Sequence, residues 1–419
     1  MVSLLILSSF FLLSGCDKKN LRRDAAQMNT SPDFQVRVLL LKNATRINLR
    51  IDSAWTIAQN EDAQTFSLFG PTPSSLNISS SNGSFSVGEK YLSCTYLAIT
   101  PQSPYIFNLN GRDYRGKLTL ITNPDSNSFE VINIIPLEPY LAGVIGAEMP
   151  FYWEPAALEA QAICSRTYCL YIKRHFGASR NWDVAATQAN QVYLGVSAET
   201  HSVWQAVNKT KGLVILSRRT DASFDILPAY FCSSCGGFTE SSQAVFGGDY
   251  FESIQQVACP YCRLTARRDL FSWGNLSFDK SAVSRLLIQK YPSLENLGTI
   301  AAISPAKQTS FQIKNVDNTG SSELSRLTSL KLVGSSGSIS FLRAEDFRLA
   351  IDPAGTTFKS TLCKISDAGG KWLITGGRGF GHGCGLCQCG CEAMARFESK
   401  TAEQILSYYY PNSRIAYVY

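Results

Sequence analysis

Short apolar runs alternate with polar positions through the first third of the chain. FQVRVLLL, INLRI, SFSVG, YLAIT, YIFNL, KLTLIT and SFEVINII recur between clusters of Gly, Pro, Asn and Ser. Period-two patterning bounded by turn formers predicts half-buried β-strands. The period changes after Glu148-Met149-Pro150. From there EPAALEAQAICSRTYCLYIKRHF carries Pro155 near its start and no other breaker before Gly177, while Leu158, Ala162, Ser165, Cys169, Ile172 and Phe176 step by four and three. That stripe predicts a long helix with one face on the core. Farther on, VILSRR and ILPAYF read as strands, and TAEQILSYYYP opens with a T-x-x-Q capping box and stops at Pro411. Residues 263–345 are the least patterned stretch, with a Gly/Ser patch at 334–338 that reads as a loop, and there is no internal repeat. The expectation is an α+β, strand-rich fold with a long core helix after Glu148 and a C-terminal helix.

Composition narrows the classes. With 419 residues, 45% hydrophobic and 17% charged, the chain can bury a full core. Its net charge of +6 is spread without a dense Lys/Arg stripe, which argues against a nucleic-acid partner. The start, MVSLLILSSFFLLSGCDKKN, holds an apolar run too short to span a bilayer and reads as an export signal over residues 1–16. Its end, LSGC, fits a bacterial lipobox, which leaves Cys16 as a lipidated first residue. A chance cysteine behind an export signal is the alternative, since no Lys or Arg precedes the run. Residues 17–33 are polar and read as a flexible tether to a folded region at 34–419. Of thirteen cysteines, all but Cys16 then lie in an oxidising compartment, where disulfides are allowed.

Several clusters have the makings of a site. Glu148 sits between Ala147 and Met149; burial among such neighbours raises a carboxyl's pKa and lets it donate a proton near neutrality. The alternative is an exposed Glu at a helix entrance, favoured there by the dipole. Arg166 is the only charge between Glu159 and Lys173, so it either snorkels to solvent or neutralises a group inside. Cys232-Ser-Ser-Cys235 and Cys259-Pro-Tyr-Cys262 have the spacing of a structural zinc site with four thiolate ligands, and disulfides are the rival reading. In GRGFGHGCGLCQCGC (377–391), the glycines permit close backbone approach to a ligand. Cys387, Cys389 and Cys391 would share one face of a strand, which suits packing or a disulfide better than ligation. His382 lies between Gly381 and Gly383, which points to a site role. A Cys384/His382 hydrolase is a weak reading, because residues two apart seldom reach nucleophile and base geometry.

Taken in order, IPLEPYLAGVIGAEMP, WEPAALEAQAICSRTYCLY, QVYLG, AYFCSSCGGFTESSQAVFGG and GRGFGHGCGLCQCGCEAMA before ILSYYYP resemble the SpoIID/LytB family, the stage II sporulation protein D and amidase enhancer group. The resemblance spans residues 35–415. It implies a peptidoglycan lytic transglycosylase of the periplasm or cell-wall space, cutting glycan strands that an amidase has stripped of stem peptides, with no cofactor for catalysis. It places Glu148 on the catalytic acid, Arg166 on a site arginine, and His382 with Gln388 on a GHGxGxxQ loop. Tyr193, Ser233, Ser234, Gly381, Gly383 and Gln388 become substrate-binding candidates. Ala189 and Asn190 stand where zinc-binding members carry His and Cys before QVY, so that metal site is missing. The usual His-Ser-Thr-Ser-Gly-Gly has become Cys232-Ser-Ser-Cys235-Gly-Gly, which moves any structural zinc to Cys232, Cys235, Cys259 and Cys262. The runner-up reading is a non-catalytic protein that binds glycan and stimulates a cell-wall amidase.

Overall fold

Alternation along the N-terminal strands decides which face each one buries. In Arg46–Ile51 the odd positions Ile47, Leu49 and Ile51 are buried while their neighbours are exposed, and in Tyr96–Pro101 Leu97 and Ile99 are buried between half-buried neighbours. A computed structural model describes residues 34–59, 68–69, 73–123, 126–218, 223–314 and 321–419. The expected signal segment with Cys16 and the tether at 17–33 lie outside these residues.

Thirteen strands build the first part: β1 (Gln35–Ala44), β2 (Arg46–Ile51), β3 (Trp55–Ala58), β4 (Leu68–Phe69), β5 (Ser74–Ser81), β6 (Ser84–Val87), β7 (Lys90–Leu92), β8 (Tyr96–Pro101), β9 (Ile106–Leu109), β10 (Arg112–Arg115), β11 (Lys117–Thr122), β12 (Phe129–Pro136) and β13 (Val184–Ala185). They form a seven-stranded sheet in the order β13-β1-β12-β11-β8-β3-β4 and a six-stranded sheet in the order β10-β9-β2-β5-β6-β7. Their inner faces share one hydrophobic cluster, bridged by Phe85 and Phe129 with ring centroids 5.3 Å apart, edge to face. Every strand expected from the sequence in this region is present.

β12 leads straight into α1 (Leu137–Glu148), a helix the sequence pattern did not predict. Pro150 ends it. The residue before a proline is driven out of the helical region, and Met149 is extended, with φ −131° and ψ 145°. Gly143 and Gly146 lie on the face of α1 toward residues 193–198. A Cβ on Gly143 would stand 2.4 Å from the Tyr193 ring, and one on Gly146 would stand 2.0 Å from the Ala198 carbonyl oxygen. The two glycines therefore let residues 193–198, the end of QVYLG and the turn after it, lie directly on the helix.

α2 (Pro155–Phe176) starts with proline at its first turn. The expected stripe is buried from Leu158 to Ile172, but Phe176 is exposed. Burial also runs all the way round the helix from Ala157 to Leu170, because sheet, loops and the C-terminal helices enclose it. The Thr401/Gln404 capping box opens the helix Ala402–Tyr409 as expected. Among the described residues, no helix is long and apolar enough to cross a membrane.

The described residues of the weakly patterned stretch build a lobe with its own core. Val283 and Leu287 from the helix Lys280–Lys290, Leu330 and Leu332 from the strand Ser321–Gly334, and Phe347 from the helix Ala344–Ile351 meet Trp372 and Ile374 there. Residues 334–338 include the turn of its hairpin, Ser329–Val333 pairing with Ile339–Arg343.

Candidate functional site

Glu148 is the last residue of α1, not a residue at a helix entrance. It is half-buried. Burial pushes its carboxyl up from the ordinary range, opposed by hydrogen bonds from the Val192 backbone and the Gln388 side chain. The negative end of the α1 dipole adds to the upward push. Val192 N–H donates to Glu148 Oε1 at 2.8 Å, next to the residues 193–198 that rest on the two helix glycines.

Amides hold the surroundings in place. Gln388 is buried, and its Nε2 also faces Gln161 Oε1 at 3.5 Å. Gln161 donates to Ser165 Oγ at 2.9 Å. Gln191 donates to the Ser165 carbonyl and accepts from the Tyr140 hydroxyl. This relay of uncharged groups fixes Glu148, and among the described residues the partners that act on its carboxyl are amides, not acids. Gln161, Ser165 and Gln191 lie in the helical stripe or the quoted motifs but were not singled out as site residues, being ordinary polar residues whose partners are set by tertiary packing.

Tyr193 is a positioning residue here. It is buried, its hydroxyl donates to Asn133 Oδ1 at 3.1 Å, and its ring packs on Tyr140 with centroids 5.2 Å apart. With the hydroxyl tied to β12, the buried Tyr193 ring anchors the chain next to Val192.

The glycine loop runs against residues 230–236. Ser234 and Phe380 exchange both backbone hydrogen bonds, at 3.1 and 2.7 Å, and Phe231–Cys232 pairs in parallel with Leu386–Cys387. Ser233 contributes its carbonyl to Cys389 N–H at 3.0 Å. Gly383 approaches the buried guanidinium of Arg326, where a Cβ would meet the Arg326 Cζ at 2.5 Å. Gly381 is half-buried. His382 accepts the Cys384 amide at Nδ1, 3.0 Å away, and faces the Tyr230 and Phe246 rings. Burial drops its pKa to about 4 despite the opposing charge of Glu345, so at neutral pH it is an uncharged imidazole. With Nδ1 on an amide and the Cys384 thiol buried and pushed far up, the pair is no nucleophile and base. His382 shares no hydrogen bond with Glu148 and positions the loop that ends in Gln388.

Arg166 is fully buried and directed away from Glu148. Its Nε and Nη2 form a fork on Glu138 at 2.9 and 2.7 Å, and Nη1 donates to the Leu213 carbonyl at 3.1 Å. The residue expected as a site arginine is instead part of an internal ion pair joining α1, α2 and the strand Leu213–Arg218, because consecutive helix positions point about 100° apart and Ser165 already occupies the side facing the site.

The cysteines also regroup. All twelve within the described residues are free thiols. Four sulfurs, of Cys235, Cys259, Cys262 and Cys387, lie within 4.8 Å of one another. Cys232 is not among them. It sits on a strand in register with Cys387, and its side chain meets that of Cys387. The expected strand face of Cys387, Cys389 and Cys391 is also absent, since Gln388–Glu398 is a helix.

Beyond Glu148 the chain displays two aromatic rings that the sequence reading missed. Phe151 and Tyr152 are 55% and 69% exposed and pack edge to face, 5.7 Å apart. Ser202 holds the Phe151 carbonyl at 2.7 Å.

Comparison with known proteins agrees with these motifs. The stage II sporulation protein (SpoIID) family model matches residues 125–216, the stretch that carries α1, Glu148, α2 and QVYLG. An uncharacterized protein of Brachyspira hyodysenteriae is 30% identical over 306 residues, covering 73% of this chain and 72% of that protein. Stage II sporulation protein D of Bacillus subtilis is 26% identical over 72% of this chain and 82% of its own length. The amidase enhancer of the same organism is 26% identical over 74% of this chain, which spans only 44% of that longer protein. The chain belongs to the SpoIID/LytB family.

Proposed function

We propose that the protein is a lytic transglycosylase cutting peptidoglycan glycan strands from which stem peptides have been removed. The observation that carries this reading is Glu148, a solitary half-buried carboxyl with a raised pKa, held by one backbone N–H and one side-chain amide. Protonated, it donates to the glycosidic oxygen as the bond to C1 breaks. The carboxylate left behind is stabilised by Val192 N–H and Gln388, and then takes the proton of the sugar's own C6 hydroxyl as that oxygen closes on C1. The product is a 1,6-anhydro end. One carboxyl serves both transfers, whereas ordinary retaining hydrolysis needs a second as nucleophile. An exported, lipid-anchored location through Cys16 belongs to the same proposal, since the polymer lies outside the cytoplasmic membrane.

Phe151 and Tyr152 suit this role as a platform for the apolar face of a sugar ring. Tyr152→Ala is expected to raise KM for denuded glycan by about fivefold, the equivalent of roughly 1 kcal/mol of lost stacking, with kcat little changed. The melting temperature should stay near that of the parent protein, because the ring is exposed. Steady-state kinetics beside a thermal melt checks both.

The amidase enhancer relative supports a second reading, in which the same surface binds glycan and stimulates an amidase without cutting. Incubating the pure protein with intact and with amidase-treated peptidoglycan, the amidase having been removed, separates the two. Soluble fragments from the treated polymer alone are expected. Release only when active amidase is present supports the enhancer.

A further inference from the structure

We propose that Cys235, Cys259, Cys262 and Cys387 form a four-thiolate zinc centre that clamps the two CxxC loops to the strand delivering Gln388 to Glu148. The centre stands on its own geometry and does not depend on the chemistry assigned to Glu148.

The sulfur positions favour an ion over disulfides. A tetrahedral site with Zn–S of about 2.3 Å separates its sulfurs by about 3.8 Å, whereas a disulfide holds them near 2.05 Å. Cys235 Sγ and Cys262 Sγ are 3.8 Å apart, and all four sulfurs converge within 4.8 Å in a buried pocket of the chain. The surroundings are those that thiolates require. The Cys235 amide donates to Cys387 Sγ at 3.2 Å, and the Tyr409 hydroxyl lies 3.1 Å from Cys259 Sγ. The Ser234 hydroxyl is buried without an oxygen or nitrogen partner and lies against Cys262. Donors of this kind orient metal-bound sulfur.

Charge balance points the same way. Four thiols that bind one divalent ion release four protons and leave a net charge of −2. Arg326 is fully buried, leaves its Nε and Nη1 without partners, and donates through Nη2 to the Cys235 carbonyl at 2.7 Å. The Glu345 carboxylate is one counter-charge to this buried cation, and a dianionic centre beyond the Cys235 carbonyl adds a second to the same region.

The test is metal content and thiol state of the full-length protein purified without chelator, by elemental analysis and intact mass. One zinc per chain with all four thiols reduced is expected. Cys232→Ser should keep the ion and Cys387→Ser should lose it. Cobalt(II) exchanged into the unmutated protein should give the thiolate charge-transfer bands of a tetrahedral site, a readout that needs no variant to fold. A metal-free protein that takes up neither zinc nor cobalt, a mass showing two disulfides among these cysteines, or loss of the ion in Cys232→Ser but not in Cys387→Ser would overturn the proposal.

Discussion

Glu148→Gln is expected to lower kcat on denuded glycan by about a thousandfold or more. A positioned general acid typically contributes 10²- to 10⁴-fold, and here one group serves both proton transfers, so the loss belongs in the upper half of that range. Gln keeps the shape and can still accept from Val192, so binding should survive and KM should change little. Stability should move the other way. A carboxyl whose folded pKa is raised holds its proton more tightly in the folded state, so the native protein loses stability as pH rises from the ordinary carboxyl range through the raised value. Glu148→Gln has no such proton to lose. The variant should therefore match or exceed the parent protein's denaturant midpoint at neutral pH, and the advantage should vanish below the ordinary carboxyl range. A variant that is both inactive and unfolded would point to a structural role instead.

The largest stability loss is expected from Arg166→Met. Removing the guanidinium strands Glu138, whose side chain is 13% exposed, with the Tyr419 hydroxyl as its one remaining partner among the described residues, and also takes the Arg166 hydrogen bond from the Leu213 carbonyl. Breaking one side of a buried pair typically costs about 3–5 kcal/mol, a large part of the whole stability of an ordinary domain. The contrast within this molecule is Arg50 with Asp52, an exposed pair at 63% and 66%, whose loss should cost less than about 1 kcal/mol. Arg166→Lys should recover little, because a single ammonium cannot make the two-pronged contact with Glu138. Urea unfolding of Arg166→Met, Arg166→Lys and Arg50→Ala ranks these effects, and equal midpoints for Arg166→Met and the parent would refute the ion pair's role.

Strands were legible because a half-buried strand writes its burial directly into a period of two, as β2 and β8 do. α1 was not. LEPYLAGVIGAE holds a proline and two glycines, which lower helix propensity, and it is a helix because tertiary contacts with Tyr193 and Ala198 favour those glycines. At the site, residue types announced chemistry while partners stayed hidden. Arg166 was singled out as a lone charge that either snorkels to solvent or neutralises a group inside, and the sequence could not choose, because its partner Glu138 lies 28 positions away and no local pattern links them. Likewise CxxC spacing marks thiols that converge locally, so it pointed to Cys232, whereas the sulfur beside Cys235 belongs to Cys387, 152 positions on. The lobe behind residues 263–345 was obscure because its long strands are largely polar and its small core draws single residues from many elements.

The chemistry of the newly formed sugar ends tests the role of Glu148 most directly. Denuded glycan is digested by the pure protein and by Glu148→Gln in water enriched in the heavy oxygen isotope, and the fragments are weighed by mass spectrometry. The expected result is 1,6-anhydro ends carrying no heavy oxygen from the unmutated protein and no fragments from the variant. Reducing ends labelled from water, or anhydro fragments that persist in Glu148→Gln, would contradict a carboxyl that hands its proton to the leaving oxygen and takes one back from C6.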